Sequence, residues 1–93
     1  MTRPRAKCEV RFKPSAAKEL AKLPDDVRQR IAPKIDALSI DPRHPGVEKL
    51  AGADAWRLRV GDYRIVFAIE DRVLVVLVLH IGNRREVYKR LRG

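Results

Sequence analysis

Side chains that carry nucleophilic or metal chemistry are almost missing from this chain of 93 residues, which holds one cysteine, two histidines and two serines. The lone Cys8 has no partner for an intrachain disulfide, which suits a reducing cytoplasm. No histidine sits near it in sequence, so it reads as a small buried or strand-edge residue. Two histidines and one cysteine make no zinc cluster at a recognised spacing, and no glycine-rich phosphate loop is present. Ser15 and Ser39 fall in helical segments without a His/Asp companion pattern. The carboxylates lie mostly in helices and turns, which leaves a paired-carboxylate mechanism unsupported. The basic residues 1–7 lead into no apolar stretch, so no signal peptide is expected. The longest apolar run, 73–81, is far too short to span a membrane and is interrupted by His80. Metal, cofactor and membrane are therefore absent from the expected function.

What is present is apolar residue and positive charge. An apolar fraction of 45% argues against disorder, and 93 residues suit one domain spanning 1–93, with 1–7 as a flexible basic tail. The formal charge of +9 is uneven. Residues 1–22 carry seven basic and two acidic groups, 84–92 carry five and one, and 56–64 carry three and one. The segments 23–55 and 65–83 are each at −1. Such a field favours a polyanion or an acidic protein partner, and charge alone does not separate the two.

Periodicity divides the rest. Residues 9–13 alternate, which predicts a strand with Val10 and Phe12 inward. Pro14-Ser15 stops it, with Ser15 as N-cap of a short helix to about Lys22 whose apolar face is Ala16, Ala17, Leu20 and Leu23. Pro24 fits the first turn of a second helix, followed by Asp25 and Asp26 at the positive end of its dipole. Val27, Ile31, Ile35 and Leu38 recur at four, four and three residues, an amphipathic stripe that continues past Pro33, where a kink is expected. Residues 41–46 form a loop carrying His44 as an exposed bystander, and a polar connector follows Lys49-Leu50-Ala51-Gly52. Trp56, Leu58 and Val60 alternate with Arg57 and Arg59, Gly61-Asp62 is a hairpin turn, and 63–70 alternate again. A turn at 70–72 precedes a central strand over 73–81, and 84–91 has helical spacing. The expected fold is α+β: a four-stranded, mainly antiparallel twisted sheet, a helical hairpin on one face and a short C-terminal helix. The other face is left partly open and carries the arginines.

The chemistry concentrates in Arg57, Arg59, Arg64, Arg84 and Tyr88, with Arg85 and Lys89 as further RNA-binding candidates. Fixed guanidiniums suit phosphate oxygens and a reaction that builds negative charge on phosphate. RNA brings its own nucleophile, the 2′-OH, so a metal is unnecessary. Tyr88 offers a ring for stacking an unpaired base, or a phenol whose pKa nearby cations would lower. Read from the residues, the cluster fits nucleic-acid binding, catalysis or docking of an acidic protein. His80 reads as structural or as support for the site.

Three stretches together carry a family likeness: Val10-Arg11-Phe12 with Leu23-Pro24; Lys49-Leu50-Ala51-Gly52 with 56–67; and Ile81-Gly82-Asn83-Arg84-Arg85-Glu86-Val87-Tyr88. In this order the chain resembles the RelE/ParE toxins of type II toxin–antitoxin pairs, and within them RelE. The resemblance implies a RelE-like, microbial-ribonuclease-like fold and a metal-independent endoribonuclease that cuts mRNA in the ribosomal A site. It implies 2′-OH attack and a cyclic-phosphate product. The partners implied are the ribosome, mRNA and a RelB-like antitoxin with an acidic, amphipathic segment; operator DNA would be bound only through the antitoxin. The family's site falls on Arg57, Arg59, Arg64, Arg84 and Tyr88. RelE commonly has lysines on the strand where this chain has Arg57 and Arg59, and arginine stays protonated. These two are therefore assigned to phosphate and transition-state charge, with Arg64. Arg84 would stabilise or protonate the leaving 5′-oxygen. Tyr88 would stack on the base or help activate the 2′-OH. The link from Arg84 to Tyr88 is shorter than in some relatives, which makes Arg85 a substitute for Arg84. Two alternatives remain: a ParE-like toxin that poisons gyrase without nuclease activity, and a non-catalytic basic binding module.

Overall fold

A period of two builds one layer of the molecule and a repeat of three to four residues builds the other. The computed structural model describes residues 8–83. They run β1 (Glu9–Phe12), α1 (Pro14–Ala21), α2 (Asp25–Ile40), β2 (Val47–Lys49), β3 (Trp56–Val60), β4 (Tyr63–Glu70) and β5 (Val75–Asn83). The tail expected at 1–7 and the helix expected at 84–91 lie outside the described residues. Among the described residues no helix is long and apolar enough to cross a membrane.

The sheet has five strands in the order β1-β5-β4-β3-β2, not four. It is mixed: β1 runs parallel to β5, and the other pairs are antiparallel. The strand missed by the sequence reading is β2, only three residues with a single apolar member, Val47. No alternation can show in so short a segment. Its pairing with β3 holds it, in the register Val47↔Leu58, Glu48↔Arg57 and Lys49↔Trp56.

The stripe on α2 is buried as read: Val27, Ile31, Ile35 and Leu38 pack with Ala16 of α1 against Leu58, Val60, Ile65, Phe67, Val76, Val78 and Ile81. Pro33 lies inside the helix on its exposed side, and the helix is continuous through it. A missing N–H is tolerated there because water can reach the carbonyl it leaves without a partner. Ser15 is not the N-cap of α1. Lys13 holds that position while its N–H donates to Val78 O at 2.9 Å, so the chain stays tied to the sheet until Pro14 starts the helix at once. Pro24 is likewise the N-cap of α2 and not part of its first turn, with Asp25 and Asp26 following it.

β5 lies between β1 and β4, as expected of a strand apolar on both faces, but it begins at Val75. Val73 and Leu74 remain in the turn, 67% and 44% exposed, and Leu74 has φ 54°. Glu9 N–H donates to Leu74 O at 2.7 Å, so the turn is fixed by where β1 docks, a tertiary constraint invisible to local hydrophobicity. Further along, Val66 pairs with His80 and Phe67 with Val78, which leaves Leu79 as an extra residue. This bulge changes the parity of β5. Val76, Val78 and Ile81 all reach the inner core, while Leu79 packs with Val66 and Ala55 in a second, smaller cluster.

Candidate functional site

The hairpin of β3 and β4 builds the site. Trp56, Leu58 and Val60 turn toward the helices, so Arg57 and Arg59 stand on the opposite face. Gly61, at the first central position of a two-residue turn, has φ +60°, the conformation a type II′ hairpin takes and an L side chain resists. That turn sets the register. Arg59 lies directly across from Arg64, and Arg64 directly across from Gly82 of β5. The neighbouring row on the same face is Glu48, Arg57, Val66 and His80.

The three arginines differ. Arg64 is 6% exposed and is the buried charged residue among the described ones. Its Nη1 donates to the carbonyls of Tyr63 and Gly61, at 3.2 and 3.4 Å, and no carboxylate among the described residues pairs with it. Arg59 is exposed and has no ion pair among the described residues. Arg57 is held by Glu48, Nη2 to Oε2 at 3.5 Å. Directly opposed like charges destabilise a sheet, and burying a guanidinium without a counter-ion is costly. Gly82 sets no side chain beside Arg64. Together these make a row of preorganised positive charge suited to an incoming anion.

Arg84, Arg85, Tyr88 and Lys89 lie outside the described residues. The described chain ends at Asn83, whose Cα partner is Tyr63. At the same end, on the helix side of the sheet, is a cleft of about 300 Å³ lined by Glu19, Lys22, Leu23, Pro24, Tyr63, Ile81, Gly82 and Asn83. Glu19, which the sequence reading did not single out, accepts a hydrogen bond from Ile81 N–H at 3.1 Å and lies 3.8 Å from His80 Nδ1. Arg30 was also missed; its Nη1 lies 3.8 Å from where a Cβ on Gly61 would stand, so it reaches the hairpin tip. Neither contact leaves a local sequence signal. Glu48 could be found only by knowing that β2 exists.

Arg43, in the loop after α2, belongs to a separate cluster. It makes two 2.9 Å bonds to the Asp71 carboxylate, and its Cζ lies 5.1 Å from the centroid of the Trp56 ring. The hydrogen bond from Arg43 holds the Asp71 carboxyl below its ordinary value. This clip joins the 41–46 loop to the turn after β4. His44, half-buried in that loop, bonds through Nδ1 to its neighbour Pro45 O at 2.8 Å.

A small α+β sheet with an arginine hairpin on the face away from its helices is the class of molecule this geometry defines. The family model for the ParE toxin of type II toxin–antitoxin systems, parDE, matches residues 10–88. Toxin RelG of Mycobacterium tuberculosis is 31% identical over 85 residues, 87% of this chain and 95% of RelG. The toxin–antitoxin complex RelBE2 of the same organism contains a chain with TM-score 0.77 and 27% identity, covering 85% of this chain and 93% of that one. The intact RelBE complex of Escherichia coli gives 0.72 and 32%, covering 82% and 95%. The chain belongs to the RelE/ParE superfamily of type II toxins and is RelE-like within it.

Proposed function

We propose that this protein is a ribosome-dependent endoribonuclease that cuts mRNA in the A site without a metal and is held inactive by a RelB-like antitoxin. The observation that carries the reading is the row Arg59, Arg64 and Gly82, in which one arginine is buried and fixed and the other is exposed. In the reaction the 2′-oxygen bonds to phosphorus while the bond to the 5′-oxygen breaks, giving a cyclic phosphate and a 5′-hydroxyl. A proton leaves the 2′-OH and one is taken up by the 5′-oxygen. Arg64, tied to backbone carbonyls, holds a phosphate oxygen without reorganising. Arg59 closes on the pentacovalent oxygens. Arg57 exchanges Glu48 for substrate, since an exposed pair at 3.5 Å is weak. Arg84 serves the leaving oxygen, with Arg85 able to replace it, and Tyr88 stacks on the base or helps activate the 2′-OH. Arg85 and Lys89 bind flanking phosphates. No arginine is a convincing general base.

The antitoxin partner is supported by solved relatives that are RelB–RelE complexes, those of Escherichia coli and Pyrococcus horikoshii among them. An acidic amphipathic segment would neutralise the arginine face, and operator DNA would be contacted through the antitoxin. A ribosomal target places the protein in the cytoplasm. The test is translation of a defined mRNA with purified toxin and mapping of new 5′ ends, with Arg84→Ala and Tyr88→Phe as variants that keep the fold and lose cleavage. The description of the matching family as ParE toxin favours a second reading, gyrase poisoning. It predicts inhibited supercoiling with intact mRNA.

A further inference from the structure

β5 outruns its neighbour. β1 pairs with it only as far as Phe12↔Val78, and Lys13 N–H to Val78 O is the last tie between them. The chain then turns into α1, and among the described residues 79–83 keep β4 on one side and have no strand on the other. The bulge at Leu79 falls at this point. An unpaired strand end is free to twist or fray, because each backbone N–H without a partner turns to water. Here α1 crosses the gap. Glu19 sets its carboxylate where the next strand would have placed a carbonyl and accepts the Ile81 N–H at 3.1 Å. The side chains of Glu19 and His80 are 11% and 16% exposed, with His80 Nδ1 3.8 Å from the same oxygen.

That strand end matters because the next residue, Gly82, faces Arg64. We propose that Glu19 is a positioning residue: it clasps the end of β5 and fixes Gly82 and Asn83 against the arginine hairpin. The inference rests on the nuclease reading above. It requires a hydrogen-bond acceptor at position 19, so Glu19→Gln retains the clasp and Glu19→Ala loses it.

The experiment uses the full chain, released from its antitoxin, and two readouts. Amide exchange at Ile81, measured against Val76 in the same strand, is expected to accelerate at least about tenfold in Glu19→Ala and to stay near wild type in Glu19→Gln. Single-turnover cleavage on programmed ribosomes is expected to fall roughly 10- to 100-fold in Glu19→Ala, with half-saturation changed less than about twofold, and to be restored by Gln. Ile35→Val, a core variant in the C-terminal half of α2 that leaves Glu19 and β5 unaltered, controls for lost stability and should cleave normally. Unchanged Ile81 exchange in Glu19→Ala overturns the clasp. Faster exchange with wild-type cleavage overturns the positioning role, as does equal loss of cleavage in Ile35→Val at matched stability. A wild-type protein that cuts no message overturns the nuclease reading itself, and the exchange comparison then stands apart from it.

Discussion

Arg64→Met should separate stability from activity in opposite directions. Burying a guanidinium costs several kcal/mol, and here it is offset only by bonds of 3.2 and 3.4 Å to two carbonyls, with no carboxylate among the described partners. Bonds from a charged donor contribute about 1.5–3 kcal/mol each at good geometry, and these are long. Arg59 is paired directly opposite, and like charges across a ladder destabilise a sheet. Methionine keeps the stem volume, removes the buried charge and removes the repulsion. Gly61 is exposed, so water can replace the lost donor at its end of the turn. A net gain of about 1–2 kcal/mol follows, in the range known for replacing buried charges with apolar residues. For a domain of this size that corresponds to a Tm higher by about 4–8 °C per kcal/mol. Urea unfolding and thermal melts measure it. Cleavage should fall at least about 100-fold, the loss seen when a preorganised charge-stabilising donor is removed. A midpoint lowered by an equivalent of about 1 kcal/mol or more would refute the reasoning and make Arg64 a residue kept for folding.

Glu48→Gln removes the Glu48 ion pair from Arg57, so the salt dependence of single-stranded RNA binding should steepen by about 0.7 in log–log slope, while stability changes by less than about 0.5 kcal/mol; an unchanged slope means the pair does not compete with phosphate. Gly61→Ala places a methyl at φ +60° and should destabilise by about 1–2 kcal/mol, seen as a lower urea midpoint; no loss would mean the turn relaxes to another type. Asp71 has a folded pKa below the ordinary 3.8, so its contribution is present above that value and is lost as pH falls through the folded pKa. Asp71→Asn should therefore melt earlier than wild type near neutral pH, with the gap closing in strong acid. A gap that is constant with pH would mean the Arg43 pair is not its source.

What the sequence could show depended on how local each cause is. The stripe of Val27, Ile31, Ile35 and Leu38 and the alternation through Trp56–Val60 are written in single elements, and both packed as read. So was the apolar character of β5, which is buried or half-buried on both faces from Val75 to Gly82. β2 was hidden because three residues hold no period, and with it the Glu48 restraint on Arg57. The parallel docking of β1 beside the last strand is a long-range choice, and it also explains why Val73 and Leu74 stay out of β5. Glu19 sits among lysines, alanines and leucines in a helix that looks ordinary, and only the strand end beside it reveals a task. The arginines were legible as a cluster. That Arg64 is buried while Arg59, paired across from it, is exposed has no local signal in the sequence.

The most direct measurement is the map of mRNA 5′ ends in a translation reaction containing purified toxin, run beside Arg59→Ala. Cuts confined to the A-site codon, ending in a cyclic phosphate and a 5′-hydroxyl and lost in the variant, are the predicted result. Intact message at a toxin concentration that stops growth, with supercoiling inhibited instead, would contradict it.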